Sequence, residues 1–235
     1  MRLAVIPARG GSKRIPRKNV KPFAGKPMIG YAIDAARDAG CFEHIVVSTD
    51  DDEIAAVAQR LGAEVPFRRP HELATDHAAT VPVIQHAIGE ALAASWPVRQ
   101  VCCIYPGVPL LRPQDLRRAL DMLDEGDSPY VFPVLAFPTP VQRALRRDAA
   151  GFVQPLQPEY TLTRTQDLEP AFHDAGQFYW GRTEAWLGGE SPHKGGRTIV
   201  LSHDTAVDID TPDDWAQAEA LFRLRAHPAP QARAA

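Results

Sequence analysis

Leu3-Ala4-Val5-Ile6-Pro7-Ala8-Arg9-Gly10-Gly11-Ser12-Lys13-Arg14-Ile15-Pro16-Arg17-Lys18-Asn19 runs from an apolar strand directly into a cation-rich glycine loop. Two adjacent glycines let backbone N–H groups turn onto an anion without side-chain obstruction, and Ser12 adds a hydroxyl donor. The charge distribution points the same way. Eight of the chain's 26 cations (Arg2, Arg9, Lys13, Arg14, Arg17, Lys18, Lys21 and Lys26) precede the first acid, Asp34. The remaining 202 residues carry 18 cations against 29 acids. Such local concentration on an otherwise acidic chain implies an anionic ligand at the loop, read as a nucleoside triphosphate. The loop is neither Gly-x-Gly-x-x-Gly nor Gly-x-x-x-x-Gly-Lys-Ser/Thr, which argues against a dinucleotide dehydrogenase and a P-loop NTPase. Arg9, Lys13 and Lys18 are the preferred phosphate ligands. Arg14 and Arg17 read equally well as solvated surface charges, and Lys21 and Lys26 stay open.

With 235 residues, 45% of them apolar, the chain is long enough for one domain with its own core, taken as 1–225. Residues 226–235 are small and Pro-rich, and are expected to form a disordered tail. No apolar run is long enough to cross a bilayer, so no membrane partner and a cytoplasmic location are expected. Cys41, Cys102 and Cys103 lack zinc-like spacing and read as core thiols. The basic segment has no interleaved stacking aromatics and the whole chain is acidic, which argues against a nucleic-acid partner.

Apolar strands at 2–7, 45–48 and 100–105 alternate with amphipathic helices at 28–39, 51–61 and 80–94. That alternation predicts an α/β fold around a mostly parallel sheet. From 130 to 167 the pattern turns β-rich, with strands at 130–136 and 141–145 and a turn at Asp148-Ala149-Ala150-Gly151. Prolines at 133, 138, 140, 155 and 158 suit edge strands and loops there better than a central sheet.

Val207-Asp208-Ile209-Asp210 alternates apolar and acidic residues, so in a strand both carboxylates emerge from one face. Two such carboxylates suit magnesium bound together with phosphate oxygens. The duller reading, that Asp210 caps the next helix, is weakened because Thr211 supplies an N-cap, Pro212 suits the first helical position and Asp214 stands three residues past the cap. Asp50 and Glu53 fit a capping box, with Asp50 also a weak site candidate at a strand end. The polar segment Arg68-Arg69-Pro70-His71-Glu72-Leu73-Ala74-Thr75-Asp76 reads as a loop able to meet the nucleotide. Thr80 doubles as a possible helix cap. Arg164 offers a bidentate fork for a carboxylate substrate. His173 and Gln177 suit acylamino or hydroxyl groups, or a plain surface position.

Together these residues resemble the cytidylyltransferases that activate nonulosonic acids as CMP-sugars, a family that includes CMP-sialic acid synthetase. The likeness rests on Pro7 to Lys13 with Lys18-Asn19, on Arg69 to Asp76, and on Asp208-Ile209-Asp210-Thr211-Pro212. Val101-Cys102-Cys103-Ile104-Tyr105-Pro106, Gln142-Arg143-Ala144 and His173 to Trp180 are similar to the pseudaminic acid branch, with N-acetylneuraminic acid as the rival acceptor. Gly107-Val108 and Val207 depart from that branch, which commonly has Thr-Ala and Gln there. The resemblance implies a Rossmann-like nucleotide-diphospho-sugar transferase fold and a homodimer built through 130–167. It also implies CTP and an acidic nine-carbon sugar as partners and magnesium as cofactor. By the same resemblance, Ala8, Arg9, Gly10, Gly11, Ser12, Lys13, Asn19, Arg69 and Thr80 bind nucleotide. Arg143, Arg164, Gln166, His173 and Gln177 bind the sugar, Asp208 and Asp210 hold the metal, and Lys18 braces the reacting phosphate. A non-catalytic nucleotide-binding module would need the loop but not the aspartate pair.

Overall fold

The computed structural model describes residues 1–226. Strand β1 (Arg2–Pro7) begins the chain. Its odd and even positions separate cleanly: Leu3 and Val5 enter one apolar cluster, and Ala4 and Ile6 the other. This two-residue period is what a strand covered on both faces requires. A short hairpin, β2 (Pro22–Phe23) and β3 (Lys26–Pro27), leads into α1 (Ile29–Ala39), which stops at Gly40 in the left-handed region, φ 64°. Then come β4 (His44–Ser48), α2 (Asp52–Arg60), α3 (Thr80–Ala93), β5 (Gln100–Ile104), α4 (Pro113–Asp124) and β6 (Tyr130–Ala136). An exposed hairpin of β7 (Leu145–Arg147) and β8 (Val153–Pro155) precedes β9 (Phe172–Asp174) and β10 (Phe178–Arg182). The described chain closes with α5 (Thr183–Gly188), β11 (Arg197–Val200) and α6 (Pro212–Ala226).

The main sheet runs β11-β6-β10-β5-β1-β4, with β9 beside β6. β4, β1 and β5 are parallel neighbours, as are β6 and β11, while β10 is antiparallel to both β5 and β6. Residues of α1, α2 and α4 bury against one face, and residues of α3 together with Trp186 of α5 against the other. A third cluster of Ile15, Phe23, Met28, Ile209, Trp215 and Ala218 ties the loop after β1 to α6.

Four expectations change. Residues 130–136 form an interior strand, not the start of an edge excursion. Pro133 is tolerated because it falls where β6 changes partner from β10, which pairs Tyr130 and Val131, to β9, which pairs Val134 to Ala136. Its carbonyl accepts from Ala175 N at 3.1 Å on that side, so the missing N–H faces the changeover, where no ladder bond is called for. Residues 141–143 form a 3₁₀ turn instead of a strand, and β7 starts at Leu145. Residues 207–210 form no strand and pair with none. Helices α4 and α5 and strand β11 are additional to the elements read from sequence. The predicted tail lies outside the described residues except for Ala226, the last residue of α6.

Candidate active site

The loop after β1 is shaped from below by the corner between β4 and α2. Ala8 is buried and its N–H donates to Ser48 O at 3.0 Å, while Gly10 N–H donates to Asp50 Oδ1 at 3.1 Å. A Cβ on Gly10 would stand 2.6 Å from Asp51 Oδ2, so this glycine is required by close approach. The Gly10 amide is therefore committed to Asp50 and not turned to a ligand. Among the described residues the amides of Arg9, Gly11 and Lys13 have no acceptor. The cap of α2 is Asp51, accepting from Ile54 N at 2.9 Å, in place of the predicted Asp50/Glu53 box. Glu53 instead meets Arg17.

Beyond the carboxyl ends of β1 and β5 the loop opens onto a cleft of about 480 Å³. Arg9, Ser12, Lys13, Lys18, Asn19, Arg69 and Thr80 all line it, together with Arg14, Asp76, Tyr105 and Asp210. Open α/β sheets collect ligands at this edge. Lys18 Nζ donates to Ile209 O at 2.7 Å and lies 3.5 Å from Asp210, which also meets Arg14 at 2.9 Å. Arg14 is thus part of the cleft, whereas Arg17 is turned away to Asp51. Asp76 binds Arg9 at 2.7 Å and Lys13 at 2.5 Å, and the Lys13 hydrogen bond, followed by the two cationic charges, holds its carboxyl below the usual carboxylate range. Buried Arg69 donates to Ser48 Oγ at 3.2 Å and to Ser48 O, and burial lowers its guanidinium to about 10. Asn19 Nδ2 holds Arg9 O at 3.0 Å, leaving its buried Oδ1 without a partner. Thr80 is not a cap: it opens α3, and its hydroxyl lies 3.0 Å from the Tyr105 hydroxyl.

Lys21 and Lys26 do not line the cleft. Lys21 sits over the Trp215 ring at 4.7 Å and Lys26 over Tyr31 at 4.1 Å.

Ile209 is buried in the third cluster and Val207 packs on it, so the carboxylates of Asp208 and Asp210 leave from the opposite side. The alternation seen in sequence therefore acts through packing, without a ladder. Thr211 and Asp214 form the cap: Asp214 N–H donates to Thr211 Oγ1 at 3.2 Å, and Asp214 Oδ2 accepts from the amides of Asp210 and Thr211 at 3.0 and 2.7 Å. Asp208 is exposed and lies beside Gly176, whose added Cβ would be 3.5 Å from Asp208 Cγ. Desolvation first, and Asp210 second, push its carboxyl up. A carboxylate pair in that state fits a divalent cation. No group of three or more metal-ligating side chains occurs among the described residues, so such a cation would complete its shell from phosphate oxygens and water.

The sugar candidates divide. Gln177 is buried, donates from Nε2 to Thr205 O at 2.7 Å and has an unpartnered Oε1. Exposed His173 lies beside Phe137. Arg143, Arg164 and Gln166 stand on the exposed segment around β7 and β8, away from the cleft of the same chain: Arg143 donates to Thr163 O at 2.5 Å and Arg164 pairs with Asp167 at 2.7 Å. Sequence reading missed Asp76 and Tyr105 as cleft residues. It also missed Asp174, whose Oδ2 lies 2.6 Å from both the Tyr179 hydroxyl and His193 Nε2. Asp76 lay inside the polar loop already singled out, but its partners are distant in sequence.

The family model described as cytidylyltransferase matches residues 3–226. The pseudaminic acid cytidylyltransferase of Campylobacter jejuni is 39% identical over 94% of this chain and 96% of its own length. The CMP-N,N'-diacetyllegionaminic acid synthase of Legionella pneumophila is 33% identical, with the same coverage. A solved CMP:2-keto-3-deoxy-manno-octonic acid synthetase, complexed with CTP, superposes with a TM-score of 0.71 over 95% of this chain and 99% of that one. At 19% identity that match speaks for the fold. No helix among the described residues is long and apolar enough to cross a membrane. On the family match and the identity to these relatives, the chain belongs to the cytidylyltransferase family.

Proposed function

We propose that this cytidylyltransferase uses CTP to activate an acidic nine-carbon sugar, pseudaminic acid, releasing pyrophosphate and forming the CMP-sugar. The observation that carries the reading is the gathering of Arg9, Lys13, Arg14 and Lys18 with Asp210 in one cleft, on a chain with a pseudaminic acid cytidylyltransferase as its relative. The anomeric hydroxyl of the sugar attacks the α-phosphorus. An O–P bond forms, the bond to the β-phosphate oxygen breaks with its electron pair leaving on pyrophosphate, and the hydroxyl proton passes to solvent.

Catalysis is then mostly placement and charge neutralisation. Arg9, Lys13 and the free loop amides hold the leaving pyrophosphate, and Lys18 braces the α-phosphate. Asn19, Arg69 and Thr80 hold the remainder of the nucleotide. Asp208 and Asp210 hold magnesium, which when bound neutralises phosphate oxygens and lowers the pKa of the attacking hydroxyl. Buried Gln177 and exposed His173 face the sugar. Arg143, Arg164 and Gln166 act from the β7–β8 segment of a second copy, with the arginines on the sugar carboxylate. Exposed Leu145, Phe152, Val153, Leu156 and Leu162 on that segment support a homodimer. The cytoplasm, where CTP is made, is the proposed location, and neither membrane nor nucleic acid is a partner.

The Legionella relative favours one second reading, in which another diacylated nonulosonic acid is the acceptor. Phosphorus NMR of protein, CTP, magnesium and pseudaminic acid tests the reaction. Appearance of a phosphodiester signal with pyrophosphate is expected, and unchanged CTP contradicts it.

A further inference from the structure

Arg17 lies outside the cleft, yet its surroundings are built more tightly than a solvated surface charge requires. Its guanidinium forks onto Asp51, with Nη1 to Oδ2 at 2.6 Å and Nη2 to Oδ1 at 2.8 Å, and also reaches Glu53. Asp51 is a fixed anchor because the same carboxylate caps α2 through Ile54 N. The Arg17 backbone has φ 56°, the left-handed region that a long side chain seldom occupies, and Arg17 O accepts from both Val20 N and Lys21 N at 3.0 Å. The chain reverses at this residue. Arg17 leaves outward to α2, and the next side chain, Lys18, leaves inward to Ile209 O and Asp210.

We propose that Arg17 is a positioning residue: its fork on Asp51 holds the left-handed pivot and thereby aims Lys18 at the reacting phosphate. This inference rests on the phosphate role given to Lys18 above. Arg17 itself touches no reacting group. A bidentate fork fixes direction as well as distance, which a lysine at this position does not reproduce.

The test is a double-mutant cycle read in turnover with CTP, magnesium and pseudaminic acid, using the wild type, Arg17→Ala, Lys18→Ala and the double variant. Arg17→Ala is expected to lower kcat by up to about a hundredfold while the KM for the sugar stays unchanged, the size of loss that a misplacement of about 1 Å produces. In the Lys18→Ala background the same change is expected to cost nothing further, because the two residues act as one unit. Asp51→Asn keeps an N-cap for α2 but weakens the fork, and is expected to repeat the Arg17→Ala loss. Equal losses from Arg17→Ala in both backgrounds, or wild-type kcat in Arg17→Ala and Asp51→Asn, would overturn the proposal. If no nonulosonic acid turns over, the functional reading above fails by itself. The same four proteins titrated with CTP then read the coupling as affinity, with additive losses again overturning it.

Discussion

Asp76 lies 2.7 Å from Arg9, placing a carboxylate of the protein against a cation that the proposed mechanism gives to phosphate. The same carboxylate also holds Lys13. A triphosphate entering the cleft competes with this internal counterion, so emptying the position should favour the ligand. Asp76→Asn is expected to bind inorganic pyrophosphate severalfold more tightly, because the loop cations then lose their internal counterion. Calorimetry reads this directly, and weaker binding would show instead that Asp76 orients the two cations.

The aspartate pair carries the cation in the proposed reaction. Asp208→Ala and Asp210→Ala are each expected to lower kcat by about a thousandfold or more, the scale of lost transition-state charge stabilisation. Near-wild-type turnover in both variants would remove the metal assignment.

The fork between Arg17 and Asp51 has a pH signature. The Arg17 hydrogen bonds, before any other cause, hold the Asp51 carboxyl down at about 2, against 3.8 for the ordinary group. A depressed carboxylate contributes stability that is fully present above its unfolded value and is lost as pH falls through its folded value. Relative to Arg17→Ala, the wild type is therefore expected to gain about 1–2 kcal/mol in urea unfolding at pH 6, after discounting for the partly exposed arginine, with the gain shrinking between pH 4 and 2. A difference independent of pH over that range would count against the fork.

The hairpin surface predicts assembly. Phe152 is 76% exposed and Leu162 is 95% exposed. Phe152→Glu and Leu162→Glu together are expected to convert a dimer into monomers in analytical ultracentrifugation and to abolish turnover, because Arg143 and Arg164 then no longer reach a cleft. A wild-type monomer with full activity would refute this.

The elements best legible in sequence are those with a local cause. Leu3 to Ile6 alternate between two cores, Gly40 ends α1, and Thr211, Pro212 and Asp214 start α6, each through neighbours a few residues away. Helix α4 carries the same kind of signal, with Pro113 in its first turn and Leu116, Ala119, Leu120 and Leu123 at helical spacing. Other features had no local trace. A two-residue period does not encode strand direction, so the antiparallel insertion of β10 was hidden. Asp76 meets Arg9 and Lys13 only after folding, and the sequence does not tell that Arg14 turns into the cleft while Arg17 turns out. The common facing of the Asp208 and Asp210 carboxylates was legible although the expected strand is absent, because burial of Ile209 suffices to orient them.

Pyrophosphate release by the purified protein with CTP and magnesium, comparing pseudaminic acid with N-acetylneuraminic acid under identical conditions, tests the central claim most directly. Rapid release with pseudaminic acid and little with N-acetylneuraminic acid is the predicted result, whereas release with N-acetylneuraminic acid alone, or with neither sugar, would contradict it.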